Sequence, residues 1–211
     1  MGADSGGDMV RTALLEWRDP LLIWPGGEVP EGTVTDARVL LVDGTDPQAA
    51  IVAGRAARHA GTRVVLDIDE AAADPEELLG LGDIIICSAG FACGDGTGRK
   101  VARLATAYPS AKVVCITLGE EGALAMSDGA ELYVPAFRVC VTDTTGAGDV
   151  FRAGFIAAWL RSPDGGLLAD LLRYANAAAA LSCCGVGAQG ALPTHAQVQV
   201  LLDSTVVGST K

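Results

Sequence analysis

Apolar residues fall into short dense blocks separated by longer stretches of helical spacing. Arg38 to Val42, Val64 to Ile68, Asp83 to Cys87 and Val113 to Thr117 are runs of Val, Ile and Leu with the length of buried strands. After the first block, Asp46-Pro47 supplies an N-cap acid and a proline for the first helical position. The helix it opens is predicted to reach about His59 and to stop at Gly61. His59 is expected on the surface of its last turn, where the helix dipole favours a basic group. Pro75 to Leu79 predicts a short helix. Thr97 to Tyr108 predicts another, with Arg99, Lys100 and Arg103 on a solvated face. Strand and helix in this alternation predict right-handed crossovers and a parallel sheet covered on both faces. The second block ends in Asp67 and Asp69.

The flanks read differently. Val10 to Trp17 is a candidate strand after a Gly6-Gly7-Asp8 hairpin turn, and Leu21 to Thr35 is a Pro- and Gly-rich loop with Trp17 and Trp24 as packing residues. Leu124 to Met126 and Glu131 to Val134 form a hairpin around Asp128-Gly129. Phe137 to Val141 reads as a strand end. Phe151 to Leu160 and the Ala-rich stretch from Leu167 to about Cys184 read as helices. Gly185 to Ala191 is a loop of small residues, Thr194 opens a helix to about Asp203, and Val206 to Lys211 is a frayed tail.

The 211 residues suffice for one large domain or a small pair, and half of them are hydrophobic. A net charge of −11 and a pI near 4.5 argue against nucleic acid or an anionic membrane as partner, since both demand basic patches. The least charged segment, Tyr174 to Thr194, holds Asn176, Gln189 and several glycines and so does not read as a membrane span. No basic-then-apolar leader opens the chain, which gives a cytoplasmic expectation. The six cysteines show no paired metal spacing and read as buried reduced thiols. With His59 and His195 far apart, zinc has no support.

The candidate chemistry lies in Val141-Thr142-Asp143-Thr144-Thr145-Gly146-Ala147-Gly148-Asp149-Val150-Phe151. Gly146, Ala147 and Gly148 make a bend almost free of side chains before an apolar helix. Backbone N–H groups there lack intrahelical acceptors, and the dipole adds positive charge, so an anion fits. Asp149 has two readings: an acid pairing with the helix N-terminus, or a general base beside a phosphate cradle. Thr117-Leu118-Gly119-Glu120-Glu121-Gly122-Ala123 follows a strand's carboxyl end, where open α/β sheets place ligands, but a plain turn explains it equally. No Gly-x-Gly-x-x-Gly follows an early strand, which sets a Rossmann dehydrogenase aside.

The run Asp-Thr-Thr-Gly-Ala-Gly-Asp-Val-Phe, continuing into Ala153-Gly154-Phe155, resembles the C-terminal signature of the ribokinase-like, PfkB-type carbohydrate kinases. The resemblance extends from about Arg11 to about Leu202. It implies a three-layer α/β ribokinase-like fold with a mostly parallel sheet. Residues 1–35 would form an incomplete lid and loop, 36–205 the nucleotide-binding and catalytic domain, and 206–211 the tail. It implies an ATP-dependent transfer to a sugar hydroxyl, with Gly146, Ala147 and Gly148 as anion hole and Asp149 as base. Thr117, Gly119 and Gly122 become ATP contacts. Asn176, otherwise a satisfied core amide, becomes part of the adenine pocket. Mg²⁺ accompanies ATP, and a monovalent cation such as K⁺ is implied at Asp143, Thr145, Ser182, Gly185, Gly187 and Ala191, several through carbonyls. Arg152 is expected either to touch phosphate or substrate or to be structural.

Two departures from the family pattern qualify this. The N-terminal third of full-length relatives, with the first strands, much of the lid and the main sugar-binding residues, has no counterpart before Val10. An exposed sheet surface or edge then invites association, for instance as a homodimer. After the strand ending at Cys87, where many relatives carry Asn-x-x-Glu, this chain has Ser88-Ala89-Gly90-Phe91, which leaves the Mg²⁺ ligands unassigned. The alternative reading is a non-catalytic nucleotide-binding module derived from such a kinase.

Overall fold

A computed structural model describes residues 13–14, 34, 37–69, 75–91, 96–162 and 166–206. The Gly6-Gly7-Asp8 turn, both early tryptophans, most of the loop up to Thr35, Cys93 and residues 207–211 lie outside this set.

Among the described residues seven strands form one sheet in the order of the chain: β1 (Ala13–Leu14), β2 (Val39–Asp43), β3 (Arg63–Ile68), β4 (Ile84–Ser88), β5 (Val113–Thr117), β6 (Ala123–Ser127) and β7 (Ala130–Val134). The first five pair in parallel and the last two are antiparallel. Helices α1 (Pro47–Ala60), α2 (Pro75–Leu81) and α3 (Thr97–Ala107) link the parallel strands. Crossovers of one hand between strands added in one direction must all lie on one face of the sheet. The opposite face therefore needs a different cover. It is supplied by α4 (Ala147–Arg161), α5 (Leu168–Ser182) and α6 (His195–Val206).

Strand side chains divide accordingly. Leu40, Val42, Val64, Leu66, Ile68, Ile85 and Cys87 pack with the crossover helices. Their neighbours Val39, Leu41, Val65, Ile84, Ile86 and Cys115 pack with α4, α5 and α6. Period-two alternation thus buries both faces, and the strands read as unbroken apolar runs.

Local signals account for the element ends. Asp46 accepts the Ala49 N–H at 3.0 Å, and Gly61 closes α1 at φ 79°. The β6–β7 hairpin turns on Asp128 and Gly129, both at positive φ (49° and 76°), as a two-residue turn matched to strand twist requires. One expectation is corrected: residues 137–141 form no strand. They run as non-repetitive backbone, and Thr142 beyond them donates its N–H to the Cys183 carbonyl at 2.7 Å, at the end of α5. The thiol expectation is corrected in part. All five described cysteines are free, but Cys140 and Cys184 are exposed, and Cys183 and Cys184 lie just past α5 rather than within it. Lys100 also departs from a fully solvated face: it donates to the Phe91 carbonyl and sits 4.7 Å over that ring. Among the described residues no helix is long and apolar enough to cross a membrane.

Candidate active site

The signature segment is held from two sides. Thr142 and Asp143 both donate backbone N–H groups to the Cys183 carbonyl, and the Thr142 hydroxyl donates to the Cys184 carbonyl. One carboxylate oxygen of Asp143 accepts the Thr145 N–H at 2.9 Å and the Thr145 hydroxyl at 2.7 Å. The other accepts the Gly187 N–H at 2.8 Å. These bonds favour the ionised form and lower the Asp143 carboxyl to about 2. Asp143 therefore ties the signature to the small-residue loop 44 positions away.

Gly146 follows at φ 76°, ψ 3°, a left-handed conformation that suits glycine. A Cβ there would also lie 2.8 Å from the Ala188 side chain, so the two loops touch. The Ala147 N–H is used by the Thr144 carbonyl at 3.1 Å. The N–H groups of Gly148 and Asp149 stand in the first turn of α4, beyond reach of an intrahelical acceptor. Asp149 is exposed there. The residues named from the motif thus come together: Asp143, Thr145 and Gly187 by direct bonds, Gly146 through Ala188, and Gly185 through Ala191, whose side chain a Cβ on Gly185 would meet at 2.7 Å. Ser182 is buried at the end of α5 and gives its hydroxyl to the Ala179 carbonyl.

The second turn lies at the end of β5. Gly119–Glu121 is a single 3₁₀ turn, and Gly122 has φ 109°, where a Cβ would stand 2.2 Å from the Val134 carbonyl oxygen. Thr117 directs its hydroxyl toward the Cys87 carbonyl of β4 at 3.4 Å. Asn176, 5% exposed, donates its amide to the Val134 and Pro135 carbonyls at 3.0 and 3.2 Å. These two bonds hold the exit of β7 against Gly122.

Sequence reasoning names Arg152, Asp67 and Asp69 but does not connect them. Arg152 is 2% exposed and pairs with Asp67 at 2.6 Å and with Asp69, both at the carboxyl end of β3. This is the structural member of the two readings of Arg152. Burial pushes the Asp67 carboxyl up to about 7. Arg152 opposes the shift, while Asp69, Asp149 and Asp43 add to it. Carboxylates at the carboxyl end of a parallel strand were the available signal. Ser88, at the end of β4, donates its hydroxyl to the Asp69 carbonyl at 3.0 Å. The ends of β3, β4 and β5 and the start of α4 therefore meet at one rim of the sheet. Among the described residues no three His, Cys, Asp or Glu are grouped to hold a metal.

Residues 24–195 match the model of the pfkB family carbohydrate kinases. The chain belongs to this family. A ribokinase from Haemophilus influenzae is 32% identical over 182 residues, covering 82% of this chain and 58% of the relative. An Arabidopsis thaliana ribokinase solved with ribose and ATP superposes with a TM-score of 0.69 at 28% identity, over 81% of this chain and 57% of that one. A double-mutant Vibrio cholerae fructokinase, solved with fructose, ADP and a potassium ion, gives a TM-score of 0.63 at 26% identity, over 78% and 60% of the two chains. This PfkB-family chain thus spans less than two thirds of the relatives it matches, and its fold is that of the ribokinase-like kinases.

Proposed function

We propose that the chain carries the nucleotide and general-base portion of an ATP-dependent carbohydrate kinase. The observation that carries this reading is an exposed Asp149 in the first turn of α4, directly after a glycine turn whose following N–H groups lack helical acceptors. In the proposed reaction Asp149 takes the proton of a sugar hydroxyl, and that oxygen attacks the γ-phosphorus in line. The bond from the γ-phosphorus to the bridging oxygen breaks and ADP leaves. The N–H groups of Gly148 and Asp149, with the α4 dipole, face the charge that develops on the phosphoryl oxygens. Gly119 and Gly122 give ATP a close approach to the backbone at the end of β5, with Thr117 beside them and Asn176 bracing that turn from behind.

Mg²⁺, when bound with ATP, neutralises phosphate charge. The oxygen donors of Asp143, Thr145, Ser182, Gly185, Gly187 and Ala191 suit a hard cation such as K⁺. The substrate is a small sugar or a nucleoside.

The test is ADP release by purified protein with Mg²⁺ and K⁺ across ribose, fructose, other ketoses and nucleosides. Sugar-dependent turnover is expected, and Asp149→Asn should lower it about 10³-fold while ATP binding persists. Near wild-type turnover of that variant would sink the base assignment. A second reading, a nucleotide-binding module without catalysis, is favoured by Ser88-Ala89-Gly90-Phe91, which brings no carboxylate to the end of β4. ATP binding with silence across the whole panel would select it.

A further inference from the structure

We propose that Arg152 is a positioning residue for phosphoryl transfer: its buried guanidinium fastens the Gly146–Gly148 turn to the carboxyl end of β3 and holds a positive charge behind that turn. The catalytic half of this inference rests on the kinase reading above, whereas the fastening does not.

Three contacts define the arrangement. One terminal nitrogen, Nη2, pairs with Asp67 at 2.6 Å and with Asp69. The other, Nη1, lies against Gly148, where a Cβ would come within 2.5 Å of it. Nε has no hydrogen-bond partner among the described residues. A side chain at Gly148 would have to displace the guanidinium packed on it, apart from any need of a phosphate. Packing alone does not account for a cation here. A buried ion pair often contributes no more stability than a well-packed apolar residue of similar volume, and an unpartnered buried N–H is a further cost. What an apolar residue cannot do is offset the carboxylates gathered around the turn. The charges of Asp69, Asp149 and Asp43 all bear on Asp67. Without Arg152 the carboxylates of Asp69 and Asp149 would face the incoming phosphates unopposed, and the turn would lose its anchor.

Arg152→Met keeps length and removes charge, and Arg152→Lys restores charge without the two-pronged geometry. Three quantities are measured: kcat, the KM for ATP, and amide hydrogen exchange of residues 144–150 in ligand-free protein. In Arg152→Met, kcat should fall about 100-fold, the loss expected of a slightly misplaced reacting group. The KM for ATP should stay nearly constant, and Arg152→Lys should recover part of kcat. Exchange at 144–150 should rise about tenfold or more, with α5 unchanged. Unchanged kcat in a folded Arg152→Met protein overturns the catalytic half, as does a loss that only tracks thermal stability with no recovery in Arg152→Lys. If Arg152→Met does not fold, Asp69→Asn removes one anchor at a carboxylate that is 58% exposed, and unchanged kcat and exchange there overturn the proposal. If wild-type protein shows no sugar-dependent turnover, the kinase reading fails by itself. Exchange at 144–150 then decides the fastening, and equal rates in wild type and variant overturn it.

Discussion

Asp67 and Asp143 are carboxylates driven in opposite directions by their surroundings, and each leaves a signature in stability against pH. Asp143 is held ionised by Thr145 and Gly187, with its carboxyl lowered from the ordinary 3.8 to about 2. Its contribution is present above about pH 4 and is lost as pH falls toward 2. Asp67 is the reverse: raised to about 7, it keeps its proton in the folded protein where the unfolded chain would release it. Between about pH 4 and 7 the native state binds the extra proton, so this group's contribution declines as pH rises through that window. Urea denaturation should therefore show wild type losing stability relative to Asp67→Asn between pH 5 and 8, and equal pH slopes would refute the burial argument. Gly122→Ala is a simpler case. Its φ of 109° and the 2.2 Å approach to Val134 predict a loss of about 3 kcal/mol or more in the same measurement. Residue-level legibility follows sequence distance. An Asp-x-Thr pair two positions apart is readable in the chain. The Gly187 bond to Asp143 and the Arg152 bond to Asp69, the latter spanning 83 positions, exist only once the sheet has brought their elements together.

The elements were legible where their ends carry chemistry. Asp46-Pro47 and Gly61 bound α1, and Asp128-Gly129 turns the hairpin, because caps and turns are local. Residues 137–141 misled because β-branched and aromatic residues suggest a strand, whereas a strand also needs a paired neighbour; the segment instead leads to an anchor at the end of α5. The α4–α5 contact depends on a feature no periodicity reveals. A Cβ at Gly154 would lie 3.0 Å from the Ala178 side chain and 3.2 Å from the Ala175 Cα, so the helices meet through small residues. Gly154→Leu should force them apart, lowering stability by about 1–3 kcal/mol or more in chemical denaturation. It should also reduce sugar-dependent turnover if Asp149, five residues earlier on the same helix, is the base. An unchanged denaturation midpoint would show that the contact is loose.

At the scale of the whole molecule, the parallel α/β architecture was readable from apolar runs and helix signals alone, because burying both faces of a sheet imposes a distinctive composition. The assembly of the site was not. The signature motif located α4 and its turn, but only the fold shows α4 fastened to β3 and bound through Asp143 to the loop after α5. The monotonic strand order has one more consequence, for how such a chain is made. Each parallel pairing joins strands adjacent in sequence, so the sheet and its crossover helices can consolidate progressively during synthesis. The other face, with Val39, Leu41, Val65, Ile86 and Cys115, has no cover until α4, α5 and α6 have emerged. A ribosome-bound intermediate would display a broad apolar sheet to the cell's chaperones. Two of the buried thiols report on it from opposite sides: Cys87 lies under the crossover helices and Cys115 under the C-terminal ones. Pulsed alkylation during refolding, read by peptide mass, should find Cys87 protected before Cys115. Simultaneous protection would mean that both faces close in one cooperative step.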